Sequence, residues 1–373
     1  MISKILRYSY QSAKPALFLL DSESIHNHFT SFGKYLGSSA LTRNMIKNLF
    51  FYEDKKLVQK IEGLKFENPI GLAAGFDYDG NLTQILPKIS FGFSTVGTVT
   101  NMSYDGNPAP RLGRLPKSKS LLVNKGFKSR GAAEIIKKLG GLKFDAPVGI
   151  SIGRTNSAKL TTIKESINDI LASFASFEKS KVRHSYYELN ISCPNLIHGA
   201  KNITFYPPRN LNNLLTSLDK LRIKKPIFIK MPITESNEDF LKMLKVIVKH
   251  KVCGVIIGNL EKNRKNQSFN KVEISKATAG NFSGLPCRKR SNELISLTYR
   301  HYGDKLIIIG CGGVFSAEDA YEKICRGASL VQLITGLIYE GPQLPREINE
   351  GLIKLIARDQ YKSINEAVGS FYF

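Results

Sequence analysis

From Pro69 onward the chain repeats one pattern eight times: a short β-rich apolar run, a polar or glycine-rich end, then a stretch with helical spacing. The apolar runs are 70–74, 93–99, 148–152, 186–191, 227–230, 254–257, 306–309 and 330–334. Helical spacing is found between them at 81–86, 131–139, 162–177, 211–221, 237–250, 290–301 and 317–326. Strands apolar on both faces that alternate with helices predict a parallel sheet covered on both sides. Eight units predict an α/β fold of the (β/α)8 TIM-barrel type. An open doubly wound sheet is the alternative, but no GxGxxG follows the first run.

Residues 1–50 stand apart as an amphipathic helical extension preceding a barrel domain over 51–373. Ile5, Leu6, Ala16, Leu17, Leu19 and Leu20 supply apolar surface, with Lys4, Arg7 and Lys14 around them. Asp21-Ser22-Glu23-Ser24 reads as a helix start, and Ile25, Phe29, Phe32, Tyr35 and Leu36 follow at helical spacing. Such a segment packs on the main domain or lies in a membrane interface with lysines near lipid phosphates. Residues 56–68 alternate around Glu62-Gly63, the pattern of a short hairpin.

Composition narrows the class. A hydrophobic fraction of 42% over 373 residues suits a globular chain with one large core. The five cysteines are odd in number and form no CxxC pair, which argues against a disulfide framework, a zinc site or an iron–sulfur cluster. No metal site is expected, and a reducing compartment is the simplest home. The net charge of +23 would attract nucleic acid, anionic lipid or an anionic substrate. Its lysines are scattered instead of blocked, and no nucleic-acid motif accompanies them. No run of about 20 apolar residues, the length needed to span a bilayer, occurs, and no signal peptide is apparent.

The strand ends carry the candidate chemistry. The fourth run ends in Asn190-Ile191-Ser192-Cys193-Pro194-Asn195, two carboxamides flanking a cysteine, with Pro194 stopping the ladder. It reads either as a catalytic βα loop or as a buried cysteine beside an ordinary turn. Lys230 closes the apolar run Ile227-Phe228-Ile229. Pointing inward, it needs an anion, and a reduced flavin supplies one; pointing outward, it snorkels to solvent. Gly310-Cys311-Gly312-Gly313 and Thr335-Gly336 end the seventh and eighth runs, where barrels usually bind phosphate.

Together, Ile70-Gly71-Leu72-Ala73-Ala74-Gly75-Phe76-Asp77, Gly97-Thr98-Val99-Thr100, Asn190–Asn195, Lys230, Gly310–Gly313 and Leu330-Val331-Gln332 resemble the dihydroorotate dehydrogenase family. The resemblance runs from about Leu17 to the end of the barrel. Leu19-Leu20-Asp21-Ser22-Glu23 resembles the membrane-associated, quinone-linked class 2 enzymes. The resemblance implies FMN held by Ala74, Gly75, Thr98, Ser151, Asn190, Lys230, Gly258, Gly284, Gly312, Gly313, Ile334 and Thr335. Dihydroorotate or orotate would be held by Asn124, Gly126, Phe127, Asn190, Asn195 and Asn259, since carboxamides match a ring bearing both N–H and C=O groups. Cys193 falls at the catalytic-base position. The match is a hybrid: cysteine there is typical of the soluble class 1 enzymes, Tyr78 stands for a lysine and Leu196 for a threonine. The loop Asn124-Lys125-Gly126-Phe127 is one residue short.

The expected reaction is ping-pong. Cys193 removes the C5 proton of dihydroorotate and hydride leaves C6 for the flavin, with Lys230 and backbone N–H groups favouring the thiolate. Quinone is the expected acceptor, because the chain carries neither an iron–sulfur cysteine set nor a dinucleotide fingerprint. Residues 1–50 would place the enzyme peripherally on the cytoplasmic side of a membrane. Three alternatives stand beside this. One is a tRNA-dihydrouridine synthase, another FMN barrel with an asparagine-x-x-cysteine-proline context. Another is a dihydroorotate dehydrogenase using fumarate, or NAD through a partner. The last is a flavin-binding protein without catalysis.

Overall fold

The computed structural model describes residues 2–197 and 203–372. Three helices lead: α1 (Ile2–Leu19), α2 (Ser22–Ser38) and α3 (Ala40–Phe50). Short polar side chains set their boundaries. Asp21 accepts from the Ser24 N–H and Ser39 from the Thr42 N–H, each satisfying a first-turn donor that has no helical partner. A hairpin of β1 (Gln59–Ile61) and β2 (Leu64–Phe66) turns at Glu62-Gly63, as the alternation predicts.

The main domain continues through β3 (Ile70–Leu72), β4 (Phe93–Val99), β5 (Leu112–Leu115), β6 (Ser120–Val123), α4 (Ala132–Leu139), β7 (Val148–Ile152), α5 (Ile163–Glu178) and β8 (Tyr186–Asn190). After these come α6 (Pro208–Asp219), β9 (Ile227–Met231), α7 (Asn237–Ile247), β10 (Gly254–Ile257), α8 (Lys271–Ser275), β11 (Asn281–Gly284) and α9 (Arg288–Tyr302). The chain ends with β12 (Ile307–Cys311), α10 (Ala317–Cys325), β13 (Leu330–Leu333), α11 (Thr335–Glu340) and α12 (Leu344–Arg358). Eight strands close a parallel barrel in the order β3-β4-β7-β8-β9-β10-β12-β13, so all eight predicted runs are barrel strands.

Three features depart from the sequence reading. The helix expected at 81–86 is absent: both Asp77 carboxylate oxygens accept, from the Asn81 and Leu82 N–H groups, and Pro87 follows, leaving only a short 3-10 turn at Leu86–Ile89. The extension takes up the space, with Gly33 and Gly37 of α2 close against Leu82 and Gln84. Secondly, α12 follows the last strand, its first turn holding Pro345. Thirdly, β5, β6 and β11 form a small antiparallel sheet from segments about 160 residues apart.

Inside the barrel, side chains two residues apart on one strand point the same way. The floor is aromatic, with Phe66, Phe93, Tyr186 and Phe228 packed beside Ile256, Ile309 and Leu330. Phe66 comes from the hairpin and meets Phe93 edge-on at 5.4 Å. These rings explain two strand glycines. A Cβ on Gly71 would lie 2.3 Å from the Phe93 ring, and one on Gly149 2.2 Å from the Tyr186 ring. Above the floor, Glu188 accepts from Thr95 Oγ1 and from Gln332 Nε2, both at 2.6 Å. The barrel is thus filled, apolar at the bottom and polar towards the mouth.

Phe66→Ala should lower stability by about 3–5 kcal/mol, the usual cost of removing a buried ring. The midpoint of urea unfolding reports it. Because Phe66 lies at the end opposite the mouth, surviving folded protein should keep its ligand affinities.

Candidate active site

The site is built at the C-terminal ends of the barrel strands, with β8 at its centre. Asn190 ends β8 facing inward and donates through Nδ2 to Thr98 Oγ1 at 2.9 Å; Thr98 and Ser151 share a hydroxyl contact of 2.9 Å. The turn then folds back: Ser192 donates from its backbone N–H to Asn190 Oδ1 at 3.2 Å, and Asn259 Nδ2 donates to Ser192 Oγ at 2.7 Å. Three strand ends and the loop after β10 are therefore joined by one run of small polar groups.

Beside this run lies a cleft lined by Ala74, Lys230, Gly258, Asn259, Gly284, Gly312, Gly313, Ile334 and Thr335. Eight of the twelve expected cofactor residues thus face one cavity. The other four lie behind or beside it: Thr98, Ser151 and Asn190 in the polar run, and Gly75, whose N–H donates to Gly97 O at 2.8 Å. Ser283 and Thr335 pair hydroxyls at 2.8 Å on the cleft wall.

Lys230 is 4% exposed, so the inward orientation holds and the solvent-seeking one does not. Among the described residues its ammonium meets Cys311 Sγ, at 4.0 Å. Glu188 lies one step deeper, fully buried, and its Oε2 has no hydrogen-bond partner among the described residues. Burial raises the Glu188 carboxyl above its ordinary range, opposed by Lys230 and by its hydrogen bonds from Thr95 and Gln332.

The second half of the site is a carboxamide cluster over the loop after β8. Asn107 is its hub: Nδ2 donates to Asn124 Oδ1 and to Asn195 O, both at 2.9 Å, while Oδ1 accepts from Tyr104 OH at 2.7 Å and from Asn156 Nδ2 at 3.2 Å. Asn195 donates to Val123 O at 3.0 Å and accepts from Asn281 Nδ2 at 2.6 Å. Asn156 also donates to Gly126 O at 3.1 Å. Phe127 packs its ring close to Gly153, beside Thr98. Asn124, Gly126, Phe127 and Asn195 are brought together as expected. Asn107, Asn156 and Asn281 were not foreseen, because they lie in loops and on β11 without a strand-end signature.

Cys193 sits on the turn between the two halves and is partly accessible. Its environment corrects the expected thiolate. Burial pushes the thiol up to about 12, outweighing the Asn195 N–H and the positive charges of Arg154 and Lys262. Lys230 is directed to Cys311 and Glu188 instead. A thiol with so high a value is protonated at neutral pH. Alkylation of Cys193 by iodoacetamide, followed by peptide mass spectrometry, should therefore climb steadily from pH 7 to 10. A plateau near neutrality would reveal a stabilised thiolate.

Residues 56–356 match the family model described as Dihydroorotate dehydrogenase. The chain is 36% identical over 342 residues to Dihydroorotate dehydrogenase (quinone) of Trichodesmium erythraeum, covering 88% of this chain and 86% of that protein. The protein of the same name from Acaryochloris marina is 34% identical, with 96% of this chain and 98% of the relative aligned. That from Corynebacterium diphtheriae is 31% identical over 97% of both. Among solved structures, DHODH from Eimeria tenella in complex with ferulenol superposes with a TM-score of 0.80 at 24% identity, over 94% of this chain and 95% of that one. With barrel, strand-end residues and full-length relatives in agreement, the chain belongs to the dihydroorotate dehydrogenase family.

Proposed function

We propose that this chain oxidises dihydroorotate to orotate on a bound FMN, with Cys193 as the base, and hands the electrons to a quinone. The relatives' shared name supports substrate and acceptor. The donor set supports the cofactor. A buried ammonium at Lys230 suits the negative charge of a reduced flavin ring, and the hydroxyls and glycine backbone of 283–284, 312–313 and 335 suit a phosphate. FMN, when bound, supplies an acceptor for the hydride from C6 of the substrate.

The chain's own residues do the rest. Asn190, Asn195, Asn259 and Asn124 offer paired donors and acceptors to the pyrimidine, and Asn107 and Asn281 fix which way the Asn124 and Asn195 side chains face. Cys193 takes the C5 proton onto Sγ. That step draws on the small thiolate fraction, which Arg154, Lys262 and the Asn195 N–H enlarge. No relay threonine follows the cysteine, since Leu196 stands there.

One observation carries the quinone reading. An apolar cavity between the extension and the barrel is lined by Ile25, Phe29, Phe32 and Leu36 of α2, by Phe76, and by Leu337 and Ile338 of α11. Two segments run from the polar cleft into it: Ala73 and Ala74 line the cleft and Phe76 the cavity, while Ile334 to Gly336 line the cleft and Leu337 the cavity. Phe29 and Phe32 of that lining remain exposed, and so do Tyr8, Leu19, Tyr35, Leu41 and Met45 of the extension. Basic residues outnumber acidic ones six to two in residues 1–50. That surface suits the headgroup region of a membrane's cytoplasmic leaflet. Among the described residues no helix is long and apolar enough to cross a membrane.

Anaerobic bleaching of the flavin by dihydroorotate, then reoxidation by quinone, fumarate or NAD, tests the whole reading. Quinone should reoxidise it fastest; a preference for fumarate or NAD would sink the acceptor assignment. Cys193→Ala should slow bleaching by about 10²–10⁴-fold, the usual worth of a positioned base, while FMN content is kept. Ile25→Trp should fill the apolar cavity and slow reoxidation by quinone about tenfold or more, matching a packing penalty of about 1–3 kcal/mol. Its bleaching rate should not change.

A further inference from the structure

The extension reaches further than the apolar cavity. Glu23, in the first turn of α2, directs its carboxylate into a cluster of three cations. Its Oε1 accepts from Lys125 Nζ at 3.1 Å and Lys128 Nζ at 3.3 Å, and its Oε2 from Arg111 Nε at 2.9 Å. Lys125 is 4% exposed and its ammonium lies 5.0 Å from the centroid of the Tyr78 ring. This lysine sits between Asn124 and Gly126, on the loop assigned to the pyrimidine.

We infer that Glu23 is a positioning residue for dihydroorotate binding: through Lys125 and Arg111 the N-terminal extension holds the 124–128 loop in its binding shape. The inference rests on the reading of that loop as the pyrimidine's. Backbone bonds carry the link onward. Asn124 N–H donates to Arg111 O at 2.8 Å and Asn107 N–H donates to Lys125 O at 3.3 Å. Arg111 Nη1 donates to Asp105 O at 2.7 Å, so two of the three residues that grip Glu23, Arg111 and Lys125, also tie the 105–111 and 124–128 segments together. Those segments present Asn107, the carboxamide hub, and Asn124.

The charges leave little freedom. Burial alone would raise the Glu23 carboxyl, yet Lys125 and Arg111 hold it down at about 2, so it is ionised throughout the working range. Remove it, and three cations face one another with Lys125 still desolvated. The loop must then open to hydrate that ammonium, drawing Asn124 away from Asn107. Helix α2 therefore serves both halves of the reaction: its apolar face lines the quinone cavity, and its first-turn carboxylate sets the substrate loop.

The test uses Glu23→Gln in the full-length holoenzyme. The dihydroorotate concentration for half-maximal anaerobic bleaching should rise about tenfold or more, the scale on which a broken buried ion pair acts. The limiting bleaching rate and quinone reoxidation of photoreduced flavin should stay within about threefold of wild type, since neither step uses Glu23. The double variant Glu23→Gln/Lys125→Met should lose less than the product of the single losses, because it leaves no orphaned lysine. Hydrogen exchange gives a readout that needs no substrate: amides of 105–111 and 124–128 should exchange faster in Glu23→Gln, with the barrel strands unchanged. Unaltered half-saturation, or unaltered exchange in both segments, would overturn the inference. If wild type is not bleached by dihydroorotate, the substrate assignment fails, and exchange alone still decides whether Glu23 holds the loop.

Discussion

The structure depends on one constraint, the closure of eight parallel strands around a filled interior. Closure forces alternate residues of every strand into a space that admits no bulk water. On β8 this places Tyr186, Glu188 and Asn190 in ascending order, and on β9 Phe228 and Lys230. The floor is aromatic and self-sufficient. Each step upward adds polarity that the barrel must satisfy from within, first through Thr95 and Gln332 around Glu188, then through Thr98 and Ser151 around Asn190. By the mouth the remaining demand is an ammonium, Lys230, which among the described residues meets a thiol at 4.0 Å. The barrel's own packing thus defines a place where an anionic group is favoured.

Much of this was readable in advance, for a physical reason. Strands buried on both faces must be continuously apolar, so all eight announced themselves, and small or polar residues stood out where those runs stopped. What resisted reading depends on distant partners. The β5–β6–β11 sheet joins segments about 160 residues apart, and Asn281 reaches Asn195 only because β11 pairs with β6. Asn107 and Asn156 sit in loops where nothing local marks them as a hub. The missing helix at 81–86 turns on a single side chain, since Asp77 satisfies two backbone donors that a helix would have arranged differently.

The cysteine shows what a motif does not carry, the balance of burial and nearby charge that sets a thiol's state. Asn190-Ile191-Ser192-Cys193-Pro194-Asn195 does lie between the cleft and the carboxamide cluster, yet the sequence could not show that burial raises the thiol more strongly than its cations draw out its proton. A protonated resting thiol has chemical merit. It is a poor target for oxidants and alkylating agents, which attack thiolates. Its basicity as a thiolate is correspondingly greater, which suits a carbon acid better than a low-pKa thiolate would. What it gives up in ionised fraction it regains in part through strength as a base.

The placement of the extension bears on how two half-reactions share one flavin. A quinone and a pyrimidine have opposite needs, one an apolar approach and the other a desolvated polar grip. Helix α2 meets both environments within four residues: Glu23 points to the cations of the substrate loop, and His26, packed edge-on against Phe76 at 4.8 Å, lines both the polar pocket beside Lys125 and the apolar cavity. Burial lowers His26 to about 4, so it is neutral where a quinone would pass. The positive charge of Lys125 adds to that lowering, and the Glu23 carboxylate opposes it. Arg114 also lines that cavity, its guanidinium 4.8 Å over the Phe18 ring.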